Sequence, residues 1–264
     1  MNKQEVIFED LGVMAYKEAW DYQEELLQKN VKTKSLLRTL AEEEAASHLT
    51  PHTPHLTIDH PIAIGSPPDS HRVTTHHHLL FVEHPPVYTL GKSGNAGNVL
   101  LSEENLKARG IEYFHTNRGG DITFHGPQQI VGYPILDLEK FYTDIGKYLR
   151  NVEETIILTL ADYGINGDRS PGETGVWIDP SIKGKERKIC AIGVRSSRWV
   201  TMHGFALNVN TDLNYFNFII PCGIQHKQVT SLEKELGRPV DFEEAKERVK
   251  RNFEKVFDVE LIGI

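Results

Sequence analysis

The residues best suited to chemistry fall in three short stretches. The first is Arg118-Gly119-Gly120-Asp121-Ile122-Thr123-Phe124-His125-Gly126-Pro127. A glycine pair lets backbone approach a ligand closely and bare its N–H groups. Arg118 offers a planar fork to a carbonyl, phosphate or carboxylate, and His125 can move protons near neutral pH. The same residues also suit a plain hairpin, with glycines in the turn and a histidine that is merely satisfied. The second stretch is Lys188-Ile189-Cys190-Ala191-Ile192-Gly193-Val194, followed by His203-Gly204-Phe205-Ala206-Leu207-Asn208. A lysine heading an apolar strand is partly desolvated, unless its stem lets the ammonium reach water. The third is Pro221-Cys222-Gly223, a turn whose thiol a large substrate could reach. In a straight strand Lys188 and Cys190 would share a face. Even so, Ile189, Ala191 and Ile192 around Cys190 mark it as a small buried hydrophobe. Cys222 is therefore the better nucleophile, with an inert turn cysteine as the alternative.

Other chemistries lack their motifs. Gly91-Lys92-Ser93 resembles the tail of a P-loop, but position 86, where the loop needs glycine, is proline, and no G-x-G-x-x-G occurs. A net charge of −8 opposes broad nucleic-acid binding. No apolar run approaches the ~20 residues that span a bilayer, and the acidic start MNKQEVIFEDLG has no secretion-signal pattern. Those features predict a cytoplasmic protein with no membrane partner. Two cysteines can form neither a disulfide framework nor a four-thiolate metal cage.

These stretches must be positioned by surrounding elements. A helix is expected over roughly Met14–Lys29, with a second short one across Leu36, Leu37 and Leu40. Residues 48–78 hold eight of the 13 histidines together with Pro51, Pro54, Pro61, Pro67 and Pro68, a pattern that predicts a long loop or insertion. A metal-binding module built on His52, His55 and His76 to His78 is the non-enzymatic alternative, although no metal site is expected. Strands are expected at 79–84, 111–116, 130–136, 175–179, 188–194, 205–210 and 216–220. Helices are expected from Ser102 to Gly110, from Asp144 onward and from Asp241 onward. The order predicts an α+β fold with a mixed sheet packed against helices, in one domain spanning 1–264.

Taken together, RGGDITFHGP, KICAIGV with HGFALN, and Pro221-Cys222-Gly223 resemble the signature blocks of the lipoyl(octanoyl) transferases. VEHPPVYTLG (82–91) and the helix around Tyr16, Trp20 and Asp21 resemble that family's N-terminal part. The resemblance implies a fold similar to the catalytic domain of biotin and lipoate protein ligases. It also implies an acyltransferase, needing no cofactor, that moves octanoyl from acyl carrier protein to a lysine of apo lipoyl domains. Those acceptors would be the E2 subunits of 2-oxoacid dehydrogenases and the glycine cleavage H protein. Cys222 matches the nucleophile that holds the acyl group as a thioester, and Lys188 the lysine that tunes it and transfers protons. Substrate contacts map onto Arg118, Gly119, Gly120, Asp121, Ile122, Thr123, Phe124 and His125, then Ala191, Ile192 and Gly193, then Gly204, Phe205 and Ala206. His203 is a possible proton shuttle or oxyanion support, and the glycine N–H groups of these loops could hold an oxyanion. Lys183, Lys185, Arg187, Lys188, Arg195 and Arg198 form a candidate landing surface for the acidic carrier. An ATP-dependent lipoate-protein ligase is the enzymatic alternative. One departure stands out: Gln128 occupies the second glycine position of the family's His-Gly-Pro-Gly-Gln, so strain is expected there if its φ is positive.

Overall fold

The computed structural model describes residues 3–47, 73–220 and 228–263. The chain runs through β1 (Gln4–Val13) and the 32-residue helix α1 (Tyr16–Ser47). Beyond residue 72 come β2 (His77–Glu83), β3 (Val87–Leu90), α2 (Glu103–Ala108), β4 (Glu112–His115), β5 (Ile122–His125) and β6 (Gln129–Ile135). Next are α3 (Ile145–Ala161), β7 (Gly167–Asp168), β8 (Val176–Ile178), β9 (Arg187–Ser197) and β10 (Val200–Asn208). After residue 227 follow β11 (Gln228–Val229), α4 (Leu232–Leu236), α5 (Phe242–Phe257) and β12 (Val259–Gly263).

The described strands form two sheets. The larger has the order β12-β1-β2-β6-β10-β9-β8-β7, with β11 paired to β9, and the smaller is β4-β3-β5. The large sheet is mixed: β1 lies parallel to both β12 and β2, while β2–β6–β10–β9 is antiparallel throughout. Helices cover both of its faces. Leu79, Phe81, Ile130 and Ile189 meet Val152 and Ile156 of α3 and Val249 and Phe253 of α5. Leu80, Val82, Val131 and Tyr133 meet Ala19, Leu26 and Leu27 of α1. Coverage on both faces explains why Leu79–Val82 is an unbroken apolar run, with no alternation to polar residues. Each such buried side chain contributes ~1.5–3 kcal/mol. The small sheet has its own core of Tyr88, Leu90, Ile122 and Phe124 with Leu106 of α2.

The α+β order stands, with local differences. The two helices expected before residue 48 are one, because nothing between Lys29 and Ser47 breaks α1. Its buried stripe of Tyr16, Ala19, Gln23, Leu27, Asn30 and Lys34 keeps helical spacing throughout. β1 is a strand that local pattern does not reveal, since its partners lie about 70 and 255 residues away in sequence. Residues 216–220 are not a strand. Asp212 caps a 3-10 turn, Leu213–Phe218, by accepting from Asn214 N, and Tyr215 stacks on Phe124 at 4.5 Å. The apolar side chains there serve packing rather than a ladder. Nor is the Arg118–Pro127 stretch a hairpin: β5 pairs with β3, whereas β6 pairs with β2 and β10 in the other sheet.

His77 and His78, expected at the end of a 48–78 loop or insertion, instead open β2 and are buried. His77 Nδ1 accepts from Asp137 N at 3.2 Å, while His78 Nδ1 contacts Glu9 Oε1 at 3.0 Å, so the two rings diverge. His52 and His55 lie outside the described residues. Where the chain re-enters, it is stapled to α1. Asn30 donates to His76 O (2.7 Å) and accepts from His76 N (2.9 Å). The buried Lys34 ammonium meets Asp137 at 2.5 Å, and Thr75 Oγ1 donates to the same carboxylate at 3.0 Å.

Candidate active site

A cavity of about 580 Å³ opens between the two sheets. One wall is the loop 118–121 with Ile122, Thr123 and His125 of β5. The facing wall is Ala191–Val194 of β9 with His203–Ala206 of β10. Tyr16 and Tyr133 bound it on one side, and Trp177, Lys188 and the turn Gly172–Thr174 on another. Ile145, Leu149, Val131 and Phe216 add apolar surface, so an alkyl chain suits the space.

Backbone contact fixes the 118–121 loop. Gly119 N donates to Val194 O at 2.9 Å, while Arg118 O and Asp121 O accept from Lys92 N (2.9 Å) and Gly91 N (3.1 Å). The approach is so close that a Cβ on Gly193 would lie 2.7 Å from Gly119 O, which is why glycine is needed there. Gly119's N–H is thereby committed to Val194 and is not an oxyanion donor. Arg118 lines the cavity, but its guanidinium points into the protein, donating to Thr89 O (2.6 Å), Thr89 Oγ1 (2.8 Å) and Gly119 O (2.9 Å). Phe124 alternates away from the cavity into the small sheet's core, apart from the other proposed contact residues.

The histidines here are neutral. His125 Nδ1 donates to Gln129 Oε1 (2.9 Å), and Nε2 faces Thr89 Oγ1 (3.3 Å). Burial holds its pKa far below the usual histidine value, and His84 and Arg118 lower it further. His203 is lowered to about 3, first by burial and then by Arg118 and Arg195. Its Nε2 faces Asn117 Oδ1 at 3.1 Å, and its backbone sits at φ 57 inside a strand, where its N–H donates to Gln23 Oε1. A left-handed residue within a ladder is strained, and such strain gathers at functional sites.

Lys188 is half-buried at the cavity edge. Its Nζ donates to Thr174 O (3.3 Å) and lies 4.6 Å from the Trp177 ring centroid. Opposite-face geometry separates it from Cys190. Val176 pairs with Cys190 but Trp177 with Lys188, so Ile189 is an extra residue that breaks the alternation. Cys190 is fully buried in the core beneath α3, and burial pushes its thiol well above the usual cysteine range. Cys222 falls between the described residues Ile220 and Gln228. The two strand residues that follow, Gln228 and Val229, pair with Arg187 and Lys188.

Sequence reasoning gave no role to Gln129 or Asn208. Gln129 Nε2 donates to Asn208 Oδ1 (2.8 Å), and Asn208 Nδ2 to Thr230 O (2.9 Å), linking β5, β6, β10 and the end of β11. The signal was available: a polar residue inside an apolar strand is either at fault or bonded. The proposed landing surface is partly neutralised. Arg187 is tied to Glu235 (2.6 Å) and Asp179 (2.6 Å), and Arg195 to Glu24 (2.7 Å), leaving Lys183, Lys185 and Arg198 as its outer charges.

This architecture is that of the lipoate-ligase catalytic fold. A bipartite lipoate protein ligase of Thermoplasma acidophilum superposes with TM-score 0.57 at 18% identity, over 72% of this chain and 75% of that one. A lipoate-protein ligase A crystallised with ATP gives 0.59 at 14% identity, over 100% and 90%. At the sequence level the chain belongs to the lipoyl protein ligase A/B catalytic-domain family, whose model matches residues 69–254. It is 51% identical over 262 residues to an octanoyltransferase of Christiangramia forsetii, covering 99% of each chain. It is 53% identical over 263 residues to one of Flavobacterium psychrophilum, covering 99% of this chain and all of the relative. The chain is an acyltransferase of the octanoyl and lipoyl transfer type. No described helix is long and apolar enough to cross a membrane.

Proposed function

We propose that the chain accepts octanoyl from the thioester of acyl carrier protein onto Cys222 and passes it to a lysine of an apo lipoyl domain. The Cys222 thiolate attacks the donor carbonyl, and the carrier leaves as its thiol. The acceptor amine then attacks the Cys222 thioester, an amide forms and the sulfur departs. Neutral Lys188 takes the amine proton, and its charged form favours the Cys222 thiolate. Thioester exchange is nearly balanced in energy and amide formation is downhill, so no nucleotide is required.

One observation carries this reading. The chain has two cysteines, and Cys190 is sealed in the core with its thiol strongly disfavoured as thiolate. That supports Cys222 as the sulfur of the acyl-enzyme. The apolar cavity beside Lys188 supports an alkyl acyl group, with Ala191 to Gly193 and Gly204 to Ala206 along it. The acceptors are the lipoyl domains of 2-oxoacid dehydrogenase E2 subunits and the glycine cleavage H protein. Intact mass after incubation with octanoyl-acyl carrier protein, without ATP, tests the proposal. One added octanoyl group that maps to Cys222 and is discharged by a lipoyl domain is expected. A label on Cys190, or a strict requirement for ATP, defeats it.

A further inference from the structure

The peptide between Thr174 and Gly175 is gripped from both sides. Its N–H donates to Glu153 Oε1 at 3.1 Å, and its carbonyl accepts from Lys188 Nζ at 3.3 Å. In a trans peptide these two groups point in opposite directions. A carboxylate and an ammonium therefore bracket one amide dipole, each aligned with the end that attracts it. The peptide has little room to shift. Gly175 adopts φ +121, and a Cβ there would lie 2.6 Å from Cys190 O and 3.5 Å from Lys188 Cε. The Trp177 ring, across the β8–β9 ladder from Lys188, also borders the ammonium.

Glu153 is an unusual residue to find on the buried face of α3. Its side chain is fully inaccessible, between Val152 and Ile156 in a helix whose other inward residues are mainly apolar. Burial raises its pKa, opposed by the Gly175 N–H, Arg150 and Arg169. Arg150 Nη2 reaches Oε1 at 2.9 Å and Arg169 Nε reaches Oε2 at 3.0 Å. Arg169 continues to Glu154 (2.6 Å) and the Arg150 carbonyl (3.0 Å). A buried carboxylate is costly unless fully bonded, and packing alone would be served as well by an apolar residue. This one spends a backbone contact on the turn that meets Lys188.

We infer that Glu153 is a positioning residue for Lys188: its carboxylate holds the Thr174–Gly175 peptide, and the Thr174 carbonyl holds the Lys188 ammonium at the cavity edge. The inference rests on the role given to Lys188 above. It concerns a residue outside the cavity lining.

The test compares Glu153→Gln in two backgrounds of the full chain, wild type and Lys188→Met, by single-turnover octanoyl transfer and steady-state kinetics. Glutamine keeps an acceptor for Gly175 N–H but loses the charge that Arg150 and Arg169 hold in place. Slight misplacement of a reacting group lowers rates by about tenfold to a hundredfold. In the wild-type background kcat should fall by about tenfold, with KM for octanoyl-acyl carrier protein changed less than about twofold. In the Lys188→Met background the same substitution should change the residual rate less than about twofold, because residues acting as a unit are not additive. Equal losses in both backgrounds, or an unchanged kcat, overturn the inference. Lys188→Met alone transferring at the wild-type rate is a separate result: it removes the role of Lys188 itself, and the inference falls with it. Should Glu153→Gln not fold, Arg169→Gln at the more exposed end of the clamp replaces it. A smaller loss is then expected, again confined to the wild-type background.

Discussion

The two ends of the cavity are built on opposite principles. The wall formed by loop 118–121, β5 and β10 is held by backbones in direct contact, with histidines kept neutral by burial and the Arg118 guanidinium turned into the protein. The Lys188 end hangs on strands of two and three residues, β7, β8 and β11, and is held by ion pairs that radiate from Glu153 and Arg187. The first region should be sensitive to added atoms and indifferent to salt. The second should tolerate added atoms better than lost charge. The proposed reaction, which seats an alkyl chain and then moves protons, would gain from dividing the work in this way.

The contrast breaks most sharply at the sulfurs. Cys222→Ala should abolish both the octanoyl adduct and transfer, whereas Cys190→Ala should keep both and lower stability by ~1–2 kcal/mol through the cavity it leaves. Mass spectrometry and thermal melts read the two effects separately. Next comes Gly193→Ala, whose Cβ would press on Gly119 O. Displacing the loop should cost about a hundredfold in kcat/KM. A change below about threefold would mean that the wall yields more easily than its contacts imply.

The third effect is acid sensitivity. His203 titrates at about 3 and His84 at about 4 in the folded chain, both lowered chiefly by burial. The unfolded chain takes up these protons near pH 6.5. Stability from the neutral rings is thus complete above pH ~6.5 and is lost as pH falls toward ~4, by on the order of 1 kcal/mol per ring per unit. Melting temperature measured at pH 7, 6 and 5 should drop progressively, and His203→Asn, which tolerates positive φ, should flatten the slope. Charge substitutions at Arg187 should leave that slope alone.

The smallest effect belongs to Gln128→Gly. Gln128 does have φ 62, and four neighbours hold it: Glu83 accepts its N–H (2.6 Å), while Val209 N, Asn210 N and Thr211 Oγ1 donate to its carbonyl (3.3, 3.1 and 3.0 Å). Glycine relieves ~1–2 kcal/mol of left-handed strain. It frees the unfolded chain by ~0.5–1 kcal/mol and loses the bond from Asn210 Nδ2 to Oε1. The net change should stay within about 1 kcal/mol, with turnover altered less than about twofold. A tenfold loss of turnover would give Gln128 a part of its own.

The sequence makes this site legible in pieces, and the pieces differ for physical reasons. Arg118 to Thr123, His125, Lys188, Ala191 to Gly193 and Gly204 to Ala206 do meet around one cavity, since their types are constrained by close backbone approach. Phe124 lies outside this lining, in the small sheet's core, which a contiguous block of sequence does not reveal. The face shared by Lys188 and Cys190 failed because a bulge at Ile189 cannot be seen without the partner strand. β1 and β12 escaped notice because each gains its reason from pairing with the other across the chain's length. Glu153 was invisible as a functional residue: on a helical wheel it is one acid among others, and only the folded turn at Gly175 gives it a purpose.

The staple between α1 and the start of β2 has a consequence for how this chain can vary in length. Asn30 with His76, and Lys34 with Asp137 and Thr75, close a ring whose two ends are fixed whatever lies between them. Ring-closure entropy grows only with the logarithm of the length enclosed, so each doubling costs ~0.6 kcal/mol. Foreign sequence placed between residues 47 and 73 should therefore leave the Asn30–His76 and Lys34–Asp137 contacts in place.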